Sequence, residues 1–277
     1  MEYKLIACDM DETLLNNEHL CPRANIEAIM KASKEYGVKF VPATGRGFAQ
    51  ISKVLKELGL DDVEDEYVIS YNGASLSENK GSKVLSFNGL DYDIMKELAE
   101  FGWGKDVCVL IGTFEGPYGY DMKDNERQRL IGQGLKFVEK KEKDVSFLKD
   151  TPICKILFQS EDIEYLHSLE AQIDNRLKEK VTISYSSNRY MEINRKGVHK
   201  GQGLKELAKL LNIPMEQTIA IGDNYNDLSM LEVAGLSIAA NNAVDDVKEV
   251  CDYVTKADNN EGVVAEAIRK YIFHEDI

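Results

Sequence analysis

The chain has 277 residues, 43% of them hydrophobic and 30% charged. This length exceeds that of one typical domain, and the composition is sufficient for a sizeable core. The formal net charge is −14, which argues against a general binder of nucleic acid or of anionic membranes, because both roles need a basic face. A small anionic substrate is compatible with this charge, since a local cationic site can override it.

The five cysteines are odd in number and widely spaced, at positions 8, 21, 108, 154 and 251. This pattern indicates reduced thiols and not a disulfide framework or a zinc site. Residues 1–3 lead directly into an apolar run, which leaves no room for a signal peptide. No apolar run approaches the ~20 residues of a membrane-spanning helix. We therefore predict a cytoplasmic protein with no membrane partner and no nucleic-acid partner.

The first apolar run, residues 5–8, is followed directly by Asp9 and Asp11, with Thr13 two residues further on. A short apolar run without alternation predicts a strand buried on both faces, as in a parallel sheet. Ligands of such sheets bind outside the carboxyl ends of the strands, so we expect the chemistry at these two aspartates. A carboxylate pair attracts a divalent cation, and one carboxylate could act as a nucleophile. An ordinary polar turn is the alternative interpretation of so short a motif.

Strand and helix patterns alternate on both sides of a less regular middle segment. The order β-α-β-α-β over the first 70 residues predicts a parallel sheet with right-handed crossovers. The alternation resumes near residue 190. The predicted helices span 22–37, 51–59, 200–211, 244–250 and 263–273, with a further short helix that ends at Gly235. The predicted strands span 38–41, 67–70, 218–221, 236–240 and 253–255.

The middle segment predicts an α+β insert, with helices on one side of an antiparallel sheet. Its strand-like runs are 84–87, 107–111, 153–158 and 181–185, and its helical patterns are 92–101 and 163–177. Residues 121–150 are charged and show no clear pattern. Residues 112–119 place aromatic side chains among glycines, which we interpret as a surface loop, with a loop that presents aromatics to a substrate as the alternative.

Several strand and helix ends carry polar residues that could share one site. Thr44 follows the second strand, Asp223 and Asp227 follow the strand at 218–221, and Lys200 begins a helix. In a parallel sheet these ends lie along the same edge as Asp9 and Asp11. Each has an ordinary explanation, namely a helix N-cap, an Asx-rich turn or an exposed lysine. Their occurrence together indicates a site.

These motifs, in this order, resemble those of the haloacid dehalogenase superfamily of phosphohydrolases. The resemblance covers the whole chain. The insert, Asn72-Gly73-Ala74 and the segment 258–263 are similar to the Cof-type subfamily. The resemblance implies an α/β fold with a Rossmann-like parallel-sheet core, residues 1–82 and 189–277, and an inserted α+β cap, residues 83–188.

The resemblance also implies a role for each motif residue. Asp9 would be the nucleophile that forms an aspartyl phosphate, and Asp11 the general acid and base. Mg²⁺ would be bound by Asp9, by Asp223 and by the backbone carbonyl at Asp11. The phosphate would be held by Thr44, Gly45, Lys200 and Asn226, with Thr13, Arg46 and Asp227 supporting these groups.

The sequence departs from the subfamily pattern at three places. Glu12 stands where glycine is usual, which affects the geometry expected for the first loop. Residues 240–243 read Ala-Asn-Asn-Ala where Met-Gly-Asn-Ala is more usual, and His199 replaces a small polar residue. We interpret His199 as a partly exposed neighbour of the site and not as a catalyst.

The activity implied by the resemblance is a Mg²⁺-dependent phosphatase of small phosphorylated metabolites, with sugar phosphates as the favoured class. The same residues would serve a phosphomutase or phosphotransferase. A phosphorylated switch protein also has acidic strand ends, but its receiver domain is much shorter and has no cap. A non-catalytic binding module is a further alternative. The sequence predicts neither the substrate itself nor the oligomeric state.

Overall fold

The computed structural model describes residues 2–132 and 135–276. The chain folds into two compact units, Met1–Ser86 with His199–Ile277, and Phe87–Val198. The second unit begins four residues later and ends ten residues later than the predicted insert, 83–188. Its later end has a structural cause, because Tyr190–Arg195 pairs with strands of the second unit.

The first segment alternates strands and helices as predicted, and it adds one short strand that the sequence did not indicate. Residues Ser75–Glu78 pair antiparallel with the strand before them, although their serines lack the apolar pattern typical of a buried strand. The elements are β1 (Leu5–Cys8), α1 (Arg23–Tyr36), β2 (Lys39–Pro42), α2 (Ser52–Glu57), β3 (Tyr67–Ser70), β4 (Ser75–Glu78) and β5 (Lys83–Phe87).

The second unit is an α+β fold around a six-stranded sheet of order β10-β11-β9-β6-β7-β8. Its elements are α3 (Tyr92–Trp103), β6 (Cys108–Thr113), β7 (Gly116–Tyr120), α4 (Asp124–Gly132), β8 (Val138–Lys140), β9 (Ile153–Gln159), α5 (Ile163–Gln172), α6 (Asn175–Lys178), β10 (Val181–Ser186) and β11 (Tyr190–Arg195). One face of the sheet packs against α3, α5 and α6 through residues such as Val109, Phe158 and Ile193.

Two interpretations of the middle segment were wrong. Residues 112–119 are not a surface loop, because β6 and β7 form an antiparallel hairpin that pairs Ile111 with Tyr118. At the end of this hairpin Tyr120 is buried, and its hydroxyl donates to the Asp144 carbonyl at 2.8 Å. The patternless stretch 121–150 contains α4 and β8. The helix α4 escaped prediction because only Glu126 and Leu130 are buried on it.

The returning chain completes the core of the first unit. Its elements are α7 (Lys200–Leu210), β12 (Thr218–Gly222), α8 (Leu228–Leu231), β13 (Leu236–Ala239), α9 (Asp245–Val250), β14 (Tyr253–Val254) and α10 (Val263–Tyr271). Its strands β12, β13 and β14 join β1 and β2 in a parallel sheet of order β14-β13-β12-β1-β2. This confirms the predicted α/β core.

Helices cover both faces of the parallel sheet, which explains why its strands read as uninterrupted apolar runs. Ile6 and Cys8 of β1 pack with α1, α2 and α10, whereas Leu5 and Ala7 pack with α7, α8 and α9. None of the helices in the described ranges is both long and apolar enough to cross a membrane.

Candidate active site

The position of β1 between β12 and β2 brings the polar residues of three strands to one edge. The sheet register pairs Cys8 with Ile221 of β12 and with Pro42 of β2. Asp9 therefore follows directly on β1, and its backbone N–H donates to the Ile221 carbonyl at 2.9 Å. Asp223 follows β12, and Thr44 lies two residues beyond Pro42. The carboxyl edge of the sheet thus carries the residues predicted there.

Lys200 is the cation of this edge and is fully buried at the start of α7. Its Nζ donates to Asp227 Oδ1 at 2.7 Å and also to Asp9 Oδ1. Burial alone would lower the lysine pKa, but the charges of Asp227 and Asp9 outweigh burial and raise it. Lys200 is therefore a permanent cation and not an exposed surface lysine.

Three buried carboxylates lie together at this edge, and two of them, Asp9 and Asp227, contact the Lys200 ammonium group. Asp9, Asp223 and Asp227 each offer an oxygen, and these oxygens lie within 4.8 Å of one another. Burial and repulsion from Asp227 raise the pKa of Asp9 to about 7. Burial and repulsion from Asp9 and Asp227 also raise the pKa of Asp223 well above its ordinary value. The cluster has an excess of negative charge that a divalent cation would offset.

The three carboxylates differ in how far their oxygens are already engaged. Asp227 Oδ2 accepts the backbone N–H groups of Asp223 and Asn224 at 3.0 and 3.1 Å, and its Oδ1 accepts from Lys200. Asp223 accepts the Thr13 hydroxyl on Oδ1 at 2.5 Å. In the described ranges, the Oδ2 atoms of Asp9 and Asp223 have no hydrogen-bond partner. These two residues fit a cation, whereas Asp227 holds Lys200 and the loop.

Gly222 allows Asp227 to approach the end of β12. A Cβ at Gly222 would lie 2.5 Å from Asp227 Cβ and 2.7 Å from its Oδ2. Both distances are too short for any side chain. The glycine before Asp223 is therefore required by the packing of the carboxylate that anchors Lys200.

The Asp11 carboxylate lies outside the three-carboxylate cluster and pairs with Arg46. The Arg46 guanidinium donates from Nε to Asp11 Oδ2 at 2.9 Å and from an Nη to Oδ1, while His19 Nδ1 lies 3.7 Å from Oδ1. Burial opposes ionisation, but His19 and Arg46 hold the pKa of Asp11 well below its ordinary value. Asp11 is thus a carboxylate in this arrangement. Its predicted backbone contact with Mg²⁺ stays a prediction.

The predicted phosphate ligands occupy two turns beside the carboxylates. Thr44 is buried, and its Oγ1 accepts the backbone N–H of Arg46 at 3.0 Å. The threonine thus forms a local turn and does not cap a helix. Gly45, which lies between Thr44 and Arg46, is partly exposed. Asn226 is also partly exposed, in the turn Tyr225–Asp227. Their contacts with a phosphate stay predictions.

Glu12 takes the backbone conformation that glycine would provide. Its φ is 62° and its ψ is 10°, and its side chain is exposed. The carboxylate does not fill the loop that follows Asp9. The Asn242 amide donates to the Glu12 carbonyl at 2.7 Å. The two segments that depart from the subfamily pattern, at residue 12 and at residues 240–243, are therefore in direct contact. The sequence alone did not reveal this contact.

Replacing Glu12 by glycine should stabilise the protein. A non-glycine residue at positive φ costs about 1–2 kcal/mol, of which the flexibility of glycine in the unfolded chain cancels part. We expect Glu12→Gly to raise the free energy of unfolding by about 1 kcal/mol, measured by denaturant unfolding. Glu12→Gln is the matched control, because it removes the charge and keeps the backbone conformation. An equal gain in Glu12→Gln would show that charge, and not conformation, is the cause.

His199 caps the helix that carries Lys200. Its Nδ1 accepts the backbone N–H of Gln202 at 3.2 Å, which satisfies one of the open donors at the start of α7. Burial and the charge of Lys205 lower the pKa of His199, so it stays a neutral acceptor. From the sequence, His199 was predicted only to be a neighbour of the site. Its place directly before the helix was the signal for a cap.

A family model of haloacid dehalogenase-like hydrolases matches residues 6–268. The chain belongs to this family. The phosphatase YwpJ of Bacillus subtilis is 30% identical over 290 residues, which cover 94% of this chain and 97% of the relative. YxeH of Bacillus subtilis is named as a provisional phosphatase. It is 33% identical over 276 residues, and the match covers 98% of both chains.

Solved structures show the same fold. A haloacid dehalogenase-like hydrolase from Bacteroides thetaiotaomicron superimposes with a TM-score of 0.83 at 29% identity, covering 97% of this chain and 99% of that chain. Together with the phosphatase relatives, this likeness confirms the predicted fold and enzyme class. This haloacid dehalogenase-like hydrolase is a phosphatase.

Proposed function

We propose that this phosphatase hydrolyses small phosphorylated metabolites, with sugar phosphates as the preferred class, through an aspartyl phosphate on Asp9 and with Mg²⁺ as cofactor. The observation that carries the proposal is the buried cluster in which Lys200 is the only cation in contact with Asp9 and Asp227 among the described residues. Asp9 and Asp223 each keep an oxygen for a further cation. We also propose a cytoplasmic location, consistent with the reduced cysteines that the sequence predicts.

Asp9 is suited to attack phosphorus because one of its oxygens is already fixed. The Lys200 ammonium holds Oδ1, which orients the carboxylate toward the edge of the sheet. Attack forms a bond between Asp9 and phosphorus and breaks the bond from phosphorus to the leaving oxygen. Lys200 and Thr44 would then contact the non-bridging phosphate oxygens, where negative charge spreads in the transition state.

Asp11 would move the protons of both half-reactions. It would protonate the leaving oxygen in the first step and accept a proton from the attacking water in the second. The pairing with Arg46 favours the ionised form, which is the form needed as a base. For the acid step Asp11 must first take up a proton from solvent, which requires that the substrate weaken the contact between Arg46 and Asp11.

Mg²⁺, held by Asp9, Asp223 and the Asp11 carbonyl, would supply positive charge that reduces the repulsion between the carboxylates and the phosphate dianion. The donor set of carboxylate and carbonyl oxygens suits Mg²⁺. Activity should therefore be lost in excess chelator and restored by Mg²⁺. A screen of phosphorylated metabolites for phosphate release, with and without chelator, tests both the metal and the substrate class.

Metal binding should also stabilise the fold, and more so at higher pH. The pKa of Asp9 rises from 3.8 to about 7 on folding, so the folded protein binds more protons than the unfolded chain between these values. Without metal, the free energy of unfolding should fall as the pH increases through about 7. With Mg²⁺ this loss should be smaller, so the gain in Tm from Mg²⁺ should increase between pH 5.5 and about 8. A gain in Tm that is the same at both pH values would contradict the assigned cluster.

A phosphotransferase would use the same residues and pass the phosphoryl group to a hydroxyl. Hydrolysis in ¹⁸O-labelled water, in the presence of sugar acceptors, separates the two reactions. We expect the label in the released phosphate. Transfer to the acceptor in place of phosphate release would assign the alternative.

A further inference from the structure

We propose that the second unit contains a binding site for a small hydroxylated organic anion, formed by Arg129, Arg189, Tyr190, Gln159 and Glu126. These residues play no part in the proposed hydrolysis. They come from α4, from the turn between β10 and β11, and from the ends of β9 and β11. All of them belong to the second unit.

The sheet register brings three of these residues together. Tyr190 of β11 is paired with Gln159 of β9, and directly opposite residues of antiparallel strands lie on the same face. Their neighbours Met191 and Phe158 belong to the core on the opposite face. The Arg189 carbonyl accepts the Ser160 N–H at 3.1 Å, which fixes the turn beside Gln159.

Helix α4 brings the other two residues to this face. Leu130 of α4 packs with Cys108 and Leu110 of β6. Glu126 lies one turn earlier on the same side of the helix, and it is fully buried. Its Oε1 accepts the Tyr190 hydroxyl at 2.8 Å. The Arg129 guanidinium lies 5.5 Å from the centre of the Tyr190 ring.

The cluster contains buried polar atoms that lack partners in the described ranges. The donors are the Nε atoms of both arginines and Nε2 of Gln159, and the acceptors are Gln159 Oε1 and Glu126 Oε2. Gln159 is fully buried, as is Glu126. A buried polar group without a hydrogen bond costs about 1–3 kcal/mol. Five such atoms in one place indicate a ligand that both accepts and donates hydrogen bonds.

The charges favour an anion over water alone. No carboxylate in the described ranges forms an ion pair with Arg129 or Arg189, although the chain as a whole has a net charge of −14. Both guanidinium groups act on the Glu126 carboxylate, and the exposed Glu161, which is held by Asn125, lies near the same group. Neither carboxylate forms an ion pair with the arginines. Water could satisfy the hydrogen bonds, but it would not provide an anionic partner for the guanidinium groups.

The unpartnered donors and acceptors and the two guanidinium groups indicate the chemistry of the ligand. A carboxylate or phosphate accepts hydrogen bonds from guanidinium N–H groups, and arginine is well suited to both. Gln159 Oε1 needs a donor, which a hydroxyl group on the same ligand would supply. Both arginines are partly exposed whereas Gln159 and Glu126 are buried, so the ligand would enter with its hydroxyl group first and keep its anionic group near the surface.

The probe for this site is malate, because it carries a carboxylate and a hydroxyl and because inorganic phosphate would also bind the candidate active site. Calorimetric titration of the full chain in chelator should show malate binding. Succinate, which lacks the hydroxyl, should bind roughly tenfold more weakly. Arg129→Gln and Arg189→Gln should each weaken malate binding by roughly 10- to 100-fold.

Arg176→Gln is the matched control, since it removes the same charge from an exposed arginine of the same unit that pairs with Glu97. It should leave malate binding unchanged. The two single variants are measured separately, so the test does not depend on the folding of the double variant. The proposal is overturned if malate binds no more tightly than a Kd of about 10 mM. It is equally overturned if neither arginine substitution weakens binding, or if Arg176→Gln weakens binding as much as they do.

Discussion

Asp9→Asn should abolish phosphoenzyme formation with every substrate while leaving the protein folded. The amide has nearly the shape of the carboxylate but is a poor nucleophile, so the covalent step is lost. The substitution also removes one of three buried, mutually repelling carboxylates, and burial raises the pKa of this one. The metal-free variant should therefore be at least as stable as the wild type. Rapid quench with labelled substrate and thermal unfolding in chelator measure the two effects.

The control for this substitution is Asp245→Asn. Asp245 is an exposed aspartate of the same unit, at the start of α9, and its replacement should leave phosphoenzyme formation unchanged. Asp9→Asn protein that still forms a phosphoenzyme would exclude Asp9 as the nucleophile. A large loss of stability in chelator would show that the Asp9 charge is needed by Lys200 more than it is opposed by Asp223 and Asp227.

Asp11→Asn should separate the two half-reactions according to the leaving group. An aryl phosphate such as p-nitrophenyl phosphate releases a stable anion that needs little protonation, whereas a hexose phosphate releases a basic alkoxide. General acid catalysis contributes roughly 10²–10⁴-fold. With the aryl ester the variant should show a fast burst of about one product per active site, then slow turnover with trapped phosphoenzyme, because the second step still lacks its base. With the hexose phosphate it should show little burst.

Arg46→Gln provides the matched comparison for Asp11→Asn. It removes the guanidinium that pairs with the Asp11 carboxylate and leaves that carboxylate in place. It should retain turnover with both esters and should not accumulate phosphoenzyme. An identical burst from Asp11→Asn with both esters would show that Asp11 does not act as the acid.

The parallel core could be predicted because its strands are uninterrupted apolar runs. The runs 5–8 and 218–221 differ from the alternating pattern of a half-exposed strand, and parallel order places their carboxyl ends together. Asp9 and Asp223 could therefore be placed at one edge without any knowledge of side-chain contacts. The strand Ser75–Glu78 could not be predicted in this way, because its buried positions include serines.

The limits of the second unit could not be predicted from local pattern. Tyr190–Arg195 alternates apolar and polar residues, and such a strand fits a half-exposed position in either sheet. Its antiparallel pairing with β9 and β10 assigns it to the second unit. That choice depends on residues far away in sequence, which is why the predicted boundary at 188 falls before the strand.

The contacts that define the site were also beyond local pattern. Lys200 and Asp9 are 191 residues apart, and Asp11 and Arg46 are 35 residues apart. The sequence indicated that these residues share an edge. The resemblance implied that Asp227 supports the lysine, but it did not specify their direct contact or indicate that Arg46 holds Asp11 in its ionised form. Both depend on side-chain packing at the ends of different strands.

The location of the phosphoryl group on the trapped enzyme tests the central claim most directly. Asp11→Asn protein is mixed with p-nitrophenyl phosphate and Mg²⁺, quenched in acid and digested, and the modified peptide is sequenced by mass spectrometry. We expect one phosphoryl group per chain, located on Asp9. A phosphoryl group on another residue, or product release without any phosphoenzyme, would contradict the aspartyl-phosphate mechanism.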